Sequence, residues 1–337
     1  MLRIDCQSHL FSEEFLTLLE KRKHSPYVFR KNGERYLVVG GWTRRILSKY
    51  TDIFAKLADM DRGGVAMAAL SINDPGPELF GKDSTQIAVF LNDFIADAVR
   101  RHPDRFFGLA VLPFQSPDAL LREFERAVDK LEMKGILLYS NLDGSFSDEE
   151  PHRQLFAYAE RRGIPILLHP AAPLTVAATQ DFDMTSMVGL MFDTTIALCR
   201  LILAGVLERH PRLKLVCPHV GGTLPYLIGR VDHQTSVLKR GMEHIRRLPS
   251  EYLKRVYLDT VSPIPLAIRY GYDFAGPDKV LYASDHPWVD PQLIAEAILS
   301  LSLPPADEEK IFSQNAASLF GLKVPAGADF REGVTHV

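Results

Sequence analysis

Short apolar, β-branched runs alternate with longer amphipathic ones along most of the chain. The short runs fall at residues 2–6, 65–72, 107–112, 135–139, 164–168, 213–217, 256–259 and 280–283. Nearly continuous apolar character over so few residues is what a parallel strand covered on both faces requires. The longer runs read as helices. Residues 86–101 carry Ile87, Phe90, Leu91, Phe94, Ile95 and Ala98 at spacings of three and four, one buried stripe. Residues 117–131 open with Pro117 and Asp118, good first-turn chemistry, and repeat Leu120, Leu121, Phe124 and Val128. Residues 151–162 end in a basic turn and the stop Gly163. Pro263 and Pro265 can open a helix before Asp273. His102 and His210 each stand before a proline and a strand, as helix C-caps or solvent-facing residues.

Eight strands with intervening helices predict a (β/α)8 TIM barrel. One interruption breaks the alternation. Residues 11–50 are rich in charge and hold Lys31-Asn32-Gly33-Glu34 between two aromatic and aliphatic runs. That pattern predicts a β-hairpin turn, in a small N-terminal insertion over the C-terminal face of the barrel. The expected organisation is one domain over residues 1–322 and a loose tail over 323–337. A doubly wound sheet would want a glycine-rich phosphate turn after the first strand, and Ile4-Asp5-Cys6-Gln7-Ser8-His9 has none. Met187, Leu190, Met191 and Phe192 read as helical core packing.

Composition narrows the function class. A net charge of −3 gives no electrostatic footprint for nucleic acid or an anionic membrane. Cys6, Cys199 and Cys217 are odd in number and far apart, which fits a reducing cytosol rather than a disulfide framework. Asp5, Gln7 and His9 interrupt the start where a signal peptide needs an apolar stretch, and no unbroken apolar run approaches the ~18–20 residues of a bilayer span. A cytoplasmic protein is expected.

The residues that end the strands carry the chemistry. The first strand runs into Gln7 and His9, the fifth into His169, the sixth into His219 and the eighth into Asp285. In a parallel barrel all strand C-termini share one face, so these groups meet although remote in sequence. Three imidazoles and a carboxylate suit a borderline divalent cation, Zn²⁺ first among them. That convergence predicts an enzyme.

Several segments resemble the amidohydrolase-related metal-dependent family, in its α-amino-β-carboxymuconate-ε-semialdehyde decarboxylase branch. They are IDCQSH, RFFGLAVLPFQSP, GIPILLHP, the stretch from Ala204 to His233, KVLYASDHPW and SQNAASLFGL. The resemblance covers nearly the whole chain, in order. It implies that His9, His169 and Asp285 are metal ligands, and that His219 is the acid/base beside the metal, with Asp285 its catalytic partner. It implies that Arg230 reaches a substrate carboxylate across a homodimer interface and that Trp288 lines the pocket. Asp259, after the seventh strand, either orients a ligand or the water or makes a structural hydrogen bond.

Two positions depart from the family. Gln7 stands where the first ligand histidine belongs; i and i+2 on a strand share a face, so it still points there. Weaker metal binding, a harder ion such as Mn²⁺, or direct ligation by His219 would each follow. Leu37 aligns with a substrate-binding arginine, for which Arg35, Arg44 or Arg45 are the substitutes at hand. The expected reaction is metal-dependent, non-oxidative decarboxylation of a small conjugated or aromatic carboxylic acid. The alternatives are hydrolysis of an amide, lactone or carbon–carbon bond, and a non-catalytic barrel scaffold.

Overall fold

The computed structural model describes residues 1–114, 116–150 and 152–323. Eight parallel strands follow one another around the sheet: β1 (Ile4–Asp5), then β5 (Met67–Leu70), β6 (Phe106–Ala110), β7 (Gly135–Tyr139), β8 (Ile166–His169), β9 (Leu215–Cys217), β10 (Tyr257–Asp259) and β11 (Val280–Leu281). Closure between the last and first comes from Cys6 N–H donating to the Tyr282 carbonyl (3.0 Å) and Asp285 N–H donating to the Gln7 carbonyl (2.9 Å). The result is the (β/α)8 barrel expected from the alternation. Every residue of β6, β7 and β8 is buried, as strands covered on both faces must be.

The helices start and stop where local chemistry dictates. Ser116 accepts the amide of Ala119 at the head of Pro117–Asp129. Asp52 accepts two amides at the head of Ile53–Arg62, and Asp290 caps Pro291–Leu299. Gly163 ends Gln154–Arg162 in the left-handed conformation. Pro265 opens the helix Pro265–Ala275. His102 and His210 sit at helix C-caps, with His210 Nδ1 3.4 Å from Glu160. Pro151 and the tail beyond Lys323 lie outside the described residues.

Two expectations are corrected. Residues 11–50 hold a helix, Glu13–Glu20, and a three-stranded antiparallel sheet rather than a lone hairpin. Asn32 and Gly33, both at positive φ, turn β2 (Tyr27–Lys31) into β3 (Glu34–Val39) as predicted. A second turn at Gly40-Gly41 then adds β4 (Trp42–Ile46), whose paired arginines hid it from a hydrophobic pattern. Val28, Leu37, Val39 and Ile46 are buried in the same apolar cluster as the barrel strands.

Met187 and Phe192 do not pack in the core. The helix Leu190–Leu203 turns Asp193, Thr194, Ala197, Leu198, Leu201 and Ile202 inward, leaving Phe192 exposed and Met187, in the turn before it, 66% exposed. The threonines and the aspartate face in because they are hydrogen-bonded. Asp193 accepts from Ser140 Oγ, Asn141 Nδ2 (2.8 Å) and the amide of Leu174 (3.2 Å), tying this helix to the ends of β7 and β8.

The helical stretch Asp181–Leu203 is also long and apolar enough to cross a membrane, which a search for unbroken apolar runs does not detect. Those same side-chain bonds hold it against the barrel.

Candidate metal centre and active site

β1 carries Gln7 and His9 to the C-terminal rim, and both are fully buried there. β8 ends on His169, β9 leads into His219, and the segment after β11 bends back at Asp285, whose φ of 62° is in the left-handed region. All converge on the Asp285 carboxylate. His9 Nε2 lies 3.0 Å and Gln7 Nε2 2.8 Å from Oδ1, with His169 Nε2 3.8 Å away; His219 Nε2 is 3.6 Å from Oδ2. The ligand-type atoms of His9, His169 and Asp285 lie within 4.8 Å of one another. That spread is close to what bonds of ~2.0–2.2 Å to one cation span.

The donors are prepared for a positive charge. His169 Nδ1 donates to the Pro170 carbonyl (2.8 Å), which leaves a lone pair on Nε2. Among the described residues, that buried Nε2 has no hydrogen-bond partner, and neither has the buried Gln7 Oε1. Buried acceptors without donors are costly, and a cation between them and the carboxylate removes the cost. His9 is held at its other edge by Ser71 Oγ, 3.0 Å from Nδ1, an outer partner of the kind metal-binding histidines use. Burial, reinforced by the neighbouring His169, lowers the His9 pKa from 6.5 to about 4, so its ring is neutral at pH 7. Burial works against ionisation of Asp285, but the imidazoles of His169, His219 and His9 hold it well below the ordinary carboxylate range. Burial also disfavours a charged His219; the Asp285 carboxylate, with Asp259 behind it, overcomes this and raises the pKa above its usual value. The residues present therefore fit a divalent cation.

Three residues after Asp285 stands an aromatic cluster. Trp288 packs edge-on against Tyr50 (4.5 Å between ring centroids) and Phe11 (6.3 Å). Of the three arginines that could replace one at Leu37, Arg35 pairs with Glu13 and Arg45 with Glu34. Arg44 stands directly across the ladder from Leu37, on the same face of the small sheet. Its guanidinium is buried against Asp74 (2.6 Å) and lies over the rings of Trp42 (4.3 Å) and Trp288 (5.9 Å). Arg230 is different. It is exposed on the helix Leu224–Ser236 and makes no hydrogen bond or ion pair among the described residues.

Several residues escape a reading of the strand-end motifs. Ser71 follows β5 at the same rim, a position that alone would have drawn attention to it. Lys56 is fully buried behind the centre, with Nζ 2.7 Å from His286 Nδ1, while His286 Nε2 contacts Asp59 (2.8 Å). Burial lowers the Lys56 pKa to about 7. In sequence, Lys56 is one of many helix lysines, and nothing distinguishes it.

Known proteins share this fold. The 2-amino-3-carboxymuconate-6-semialdehyde decarboxylase of Dictyostelium discoideum is 27% identical over 95% of this chain and 92% of its own. Among solved structures, the 5-carboxyvanillate decarboxylase of Sphingomonas paucimobilis superposes with a TM-score of 0.84, at 25% identity over 95% of this chain and 99% of that one. The 5-carboxyvanillate decarboxylase of Novosphingobium aromaticivorans, complexed with manganese and 4-hydroxy-3-methoxy-5-nitrobenzoic acid, superposes with a TM-score of 0.80 at 25% identity, covering 95% of this chain and 96% of that one. Relatives so named, matched over most of both chains, support a carboxy-lyase. The family model for amidohydrolases matches residues 4–322, and the chain belongs to that family.

Proposed function

We propose that this protein is a metal-dependent, non-oxidative decarboxylase of a small conjugated or aromatic carboxylic acid. The observation that carries the reading is the convergence of His9, His169 and His219 on the Asp285 carboxylate at one end of the barrel. His9, His169 and Asp285 would hold the ion, Zn²⁺ or Mn²⁺; the manganese in the Novosphingobium relative and the amide at Gln7 favour admitting the harder ion. Bound there, a cation would polarise a substrate oxygen as a Lewis acid and lower the pKa of water beside it.

The chain's own groups then do the rest. His219, whose pKa the Asp285 carboxylate raises, delivers an Nε2 proton to the substrate carbon that bears the carboxylate. That carbon–carbon bond breaks, CO₂ leaves, and the electron pair returns to the conjugated system. Trp288 offers a face for a planar substrate, and Arg44, across from Leu37, takes the role of the absent arginine. To test the reaction, metal-loaded protein would be incubated with a panel of hydroxylated aromatic and conjugated acids in D₂O. CO₂ release with one deuterium at the vacated carbon is expected. Product that instead keeps the carboxylate and gains oxygen from labelled water would mean hydrolysis.

Gln7→His restores an imidazole at the position that the amide fills, and is expected to tighten Zn²⁺ binding. Competition against a chelator measures it, and an unchanged affinity would put Gln7 outside the coordination sphere.

We read residues 1–322 as one domain, with residues 11–50 inserted over the mouth, where Arg44 meets Asp74. The active form is read as a homodimer. Phe182, Met187, Val188, Phe192 and Ile196 form an exposed apolar face that suits a second copy. The unpaired Arg230 lies on the helix Leu224–Ser236, which packs against Leu190–Leu203. If Arg230 serves the partner's site, dilution to monomer should abolish turnover, and a fully active monomer would remove it from the mechanism. Three free cysteines suit a cytoplasmic setting.

A further inference from the structure

Lys56, on the helix Ile53–Arg62, is 1% exposed. Among the described residues its side-chain hydrogen bonds go to two atoms of one partner. Nζ lies 2.7 Å from His286 Nδ1 and 3.5 Å from the His286 carbonyl oxygen. Burying an amino group is costly even when it is hydrogen-bonded, and an apolar chain of equal length would fill the space without that cost. What sets this lysine apart is its hold on His286.

His286 is gripped at both nitrogens of its ring. Nε2 lies 2.8 Å from the Asp59 carboxylate and so carries the hydrogen, which leaves Nδ1 to accept from Lys56. Lys56 and Asp59 stand three residues apart on one face of one helix, so a single rigid element supplies both contacts. On the other side, the Ser284 hydroxyl accepts the His286 amide (3.1 Å) and donates to Asp5 (2.5 Å).

The residue so held joins two ligand positions. Asp285 precedes it with a φ of 62°, a conformation that a non-glycine residue keeps only where its surroundings impose it. The His286 carbonyl accepts the His9 amide (2.7 Å), and the Asp285 amide donates to the Gln7 carbonyl (2.9 Å). The oxygen that Lys56 approaches is therefore the one that ties the Asp285 turn to the backbone of His9. A displaced His286 would change the spacing of the His9 and Asp285 donors.

We propose that Lys56 and Asp59 are positioning residues of the metal centre: by gripping both ring nitrogens of His286 they set the turn at Asp285 and its spacing from His9. The consequence for the metal rests on the proposed centre; the clamp itself does not.

Lys56→Met keeps the length of the side chain and removes its donors. Hydrogen exchange of the metal-free protein, read residue by residue by NMR, tests the clamp. In Lys56→Met the amides of His9 and Asp285 should exchange ~10–100-fold faster, the range that loss of such hydrogen bonds predicts, while those of β7 keep the wild-type rate. His286→Phe should loosen the same two amides, and Lys56→Met added to it should change nothing further. Zn²⁺ affinity, from competition against a chelator, should fall by ~10–100-fold in Lys56→Met, as changes to outer partners of a metal site produce. Exchange unaltered at His9 and Asp285, exchange faster everywhere alike, or an effect of Lys56→Met that persists beside His286→Phe overturns the clamp. An unchanged Zn²⁺ affinity overturns its role at the centre. If Lys56→Met does not fold, Asp59→Ala, at the partly exposed end, decides the clamp by the same two amides. Should wild type bind no metal, the exchange rates still decide the clamp while the metal centre fails alone.

Discussion

Asp285→Ala should yield protein that binds no stoichiometric metal and decarboxylates nothing above background. The expectation follows from the position of one carboxylate among four side chains. Among the described residues, Asp285 is the only anion within 4 Å of His9, His169 and His219, and Gln7 donates to it as well. Without it, two imidazoles and an amide remain, a poor set for a hard or borderline cation. His219 also loses the carboxylate that raises its pKa. The loss should therefore exceed the ~10–100-fold that changes to outer partners of a metal site produce. Asp285→Asn keeps the shape and removes the charge, so it should lie close to the alanine variant rather than to wild type. Elemental analysis of purified protein, next to wild type and His169→Ala, reads the first effect. Metal retained at full stoichiometry in Asp285→Ala would dismantle the proposed centre.

The second large effect is on stability. Burial, with Asp74 and Asp143 adding negative charge nearby, raises the Glu78 carboxyl from 4.5 to about 8. The folded protein thus holds this proton between roughly pH 4.5 and 8, where the unfolded chain releases it. Its contribution to stability is complete below the unfolded value and is lost as pH rises through the folded one. Between pH 6 and 8 the loss amounts to roughly 2–3 kcal/mol, at about 1.4 kcal/mol per pH unit. Glu78→Gln has no such proton to lose. Relative to the variant, wild type should therefore weaken by that amount over those two units, measured as denaturation midpoints at both pH values. A gap between the two proteins that does not change with pH would mean an ordinary carboxylate.

The candidate site was more legible than its supports. His9, His169, His219 and Asp285 could be picked out because strand ends are local features, and parallel closure brings all such ends to one face. Gln7 was visible for the same reason, by its two-residue spacing from His9. Arg44 could not be separated from Arg35 and Arg45, because what distinguishes them is the cross-strand register that puts Arg44 opposite Leu37 and above Asp74. Lys56 and Glu78 were invisible, since their burial depends on which face of the fold their segments present.

The sequence by itself determined the succession of strands and helices, the Asn32-Gly33 turn, the helix caps and the donor types at the strand ends. Each of these depends on residues a few positions apart, whose propensities and periodicities act locally. Only the tertiary structure decided that Met187 and Phe192 face outward, that Trp42–Ile46 is a strand, that Arg44 is the buried arginine and that Asp259 accepts the amide of Val220, next to His219. Those outcomes depend on packing and hydrogen bonds between segments far apart in the chain, which no local pattern encodes.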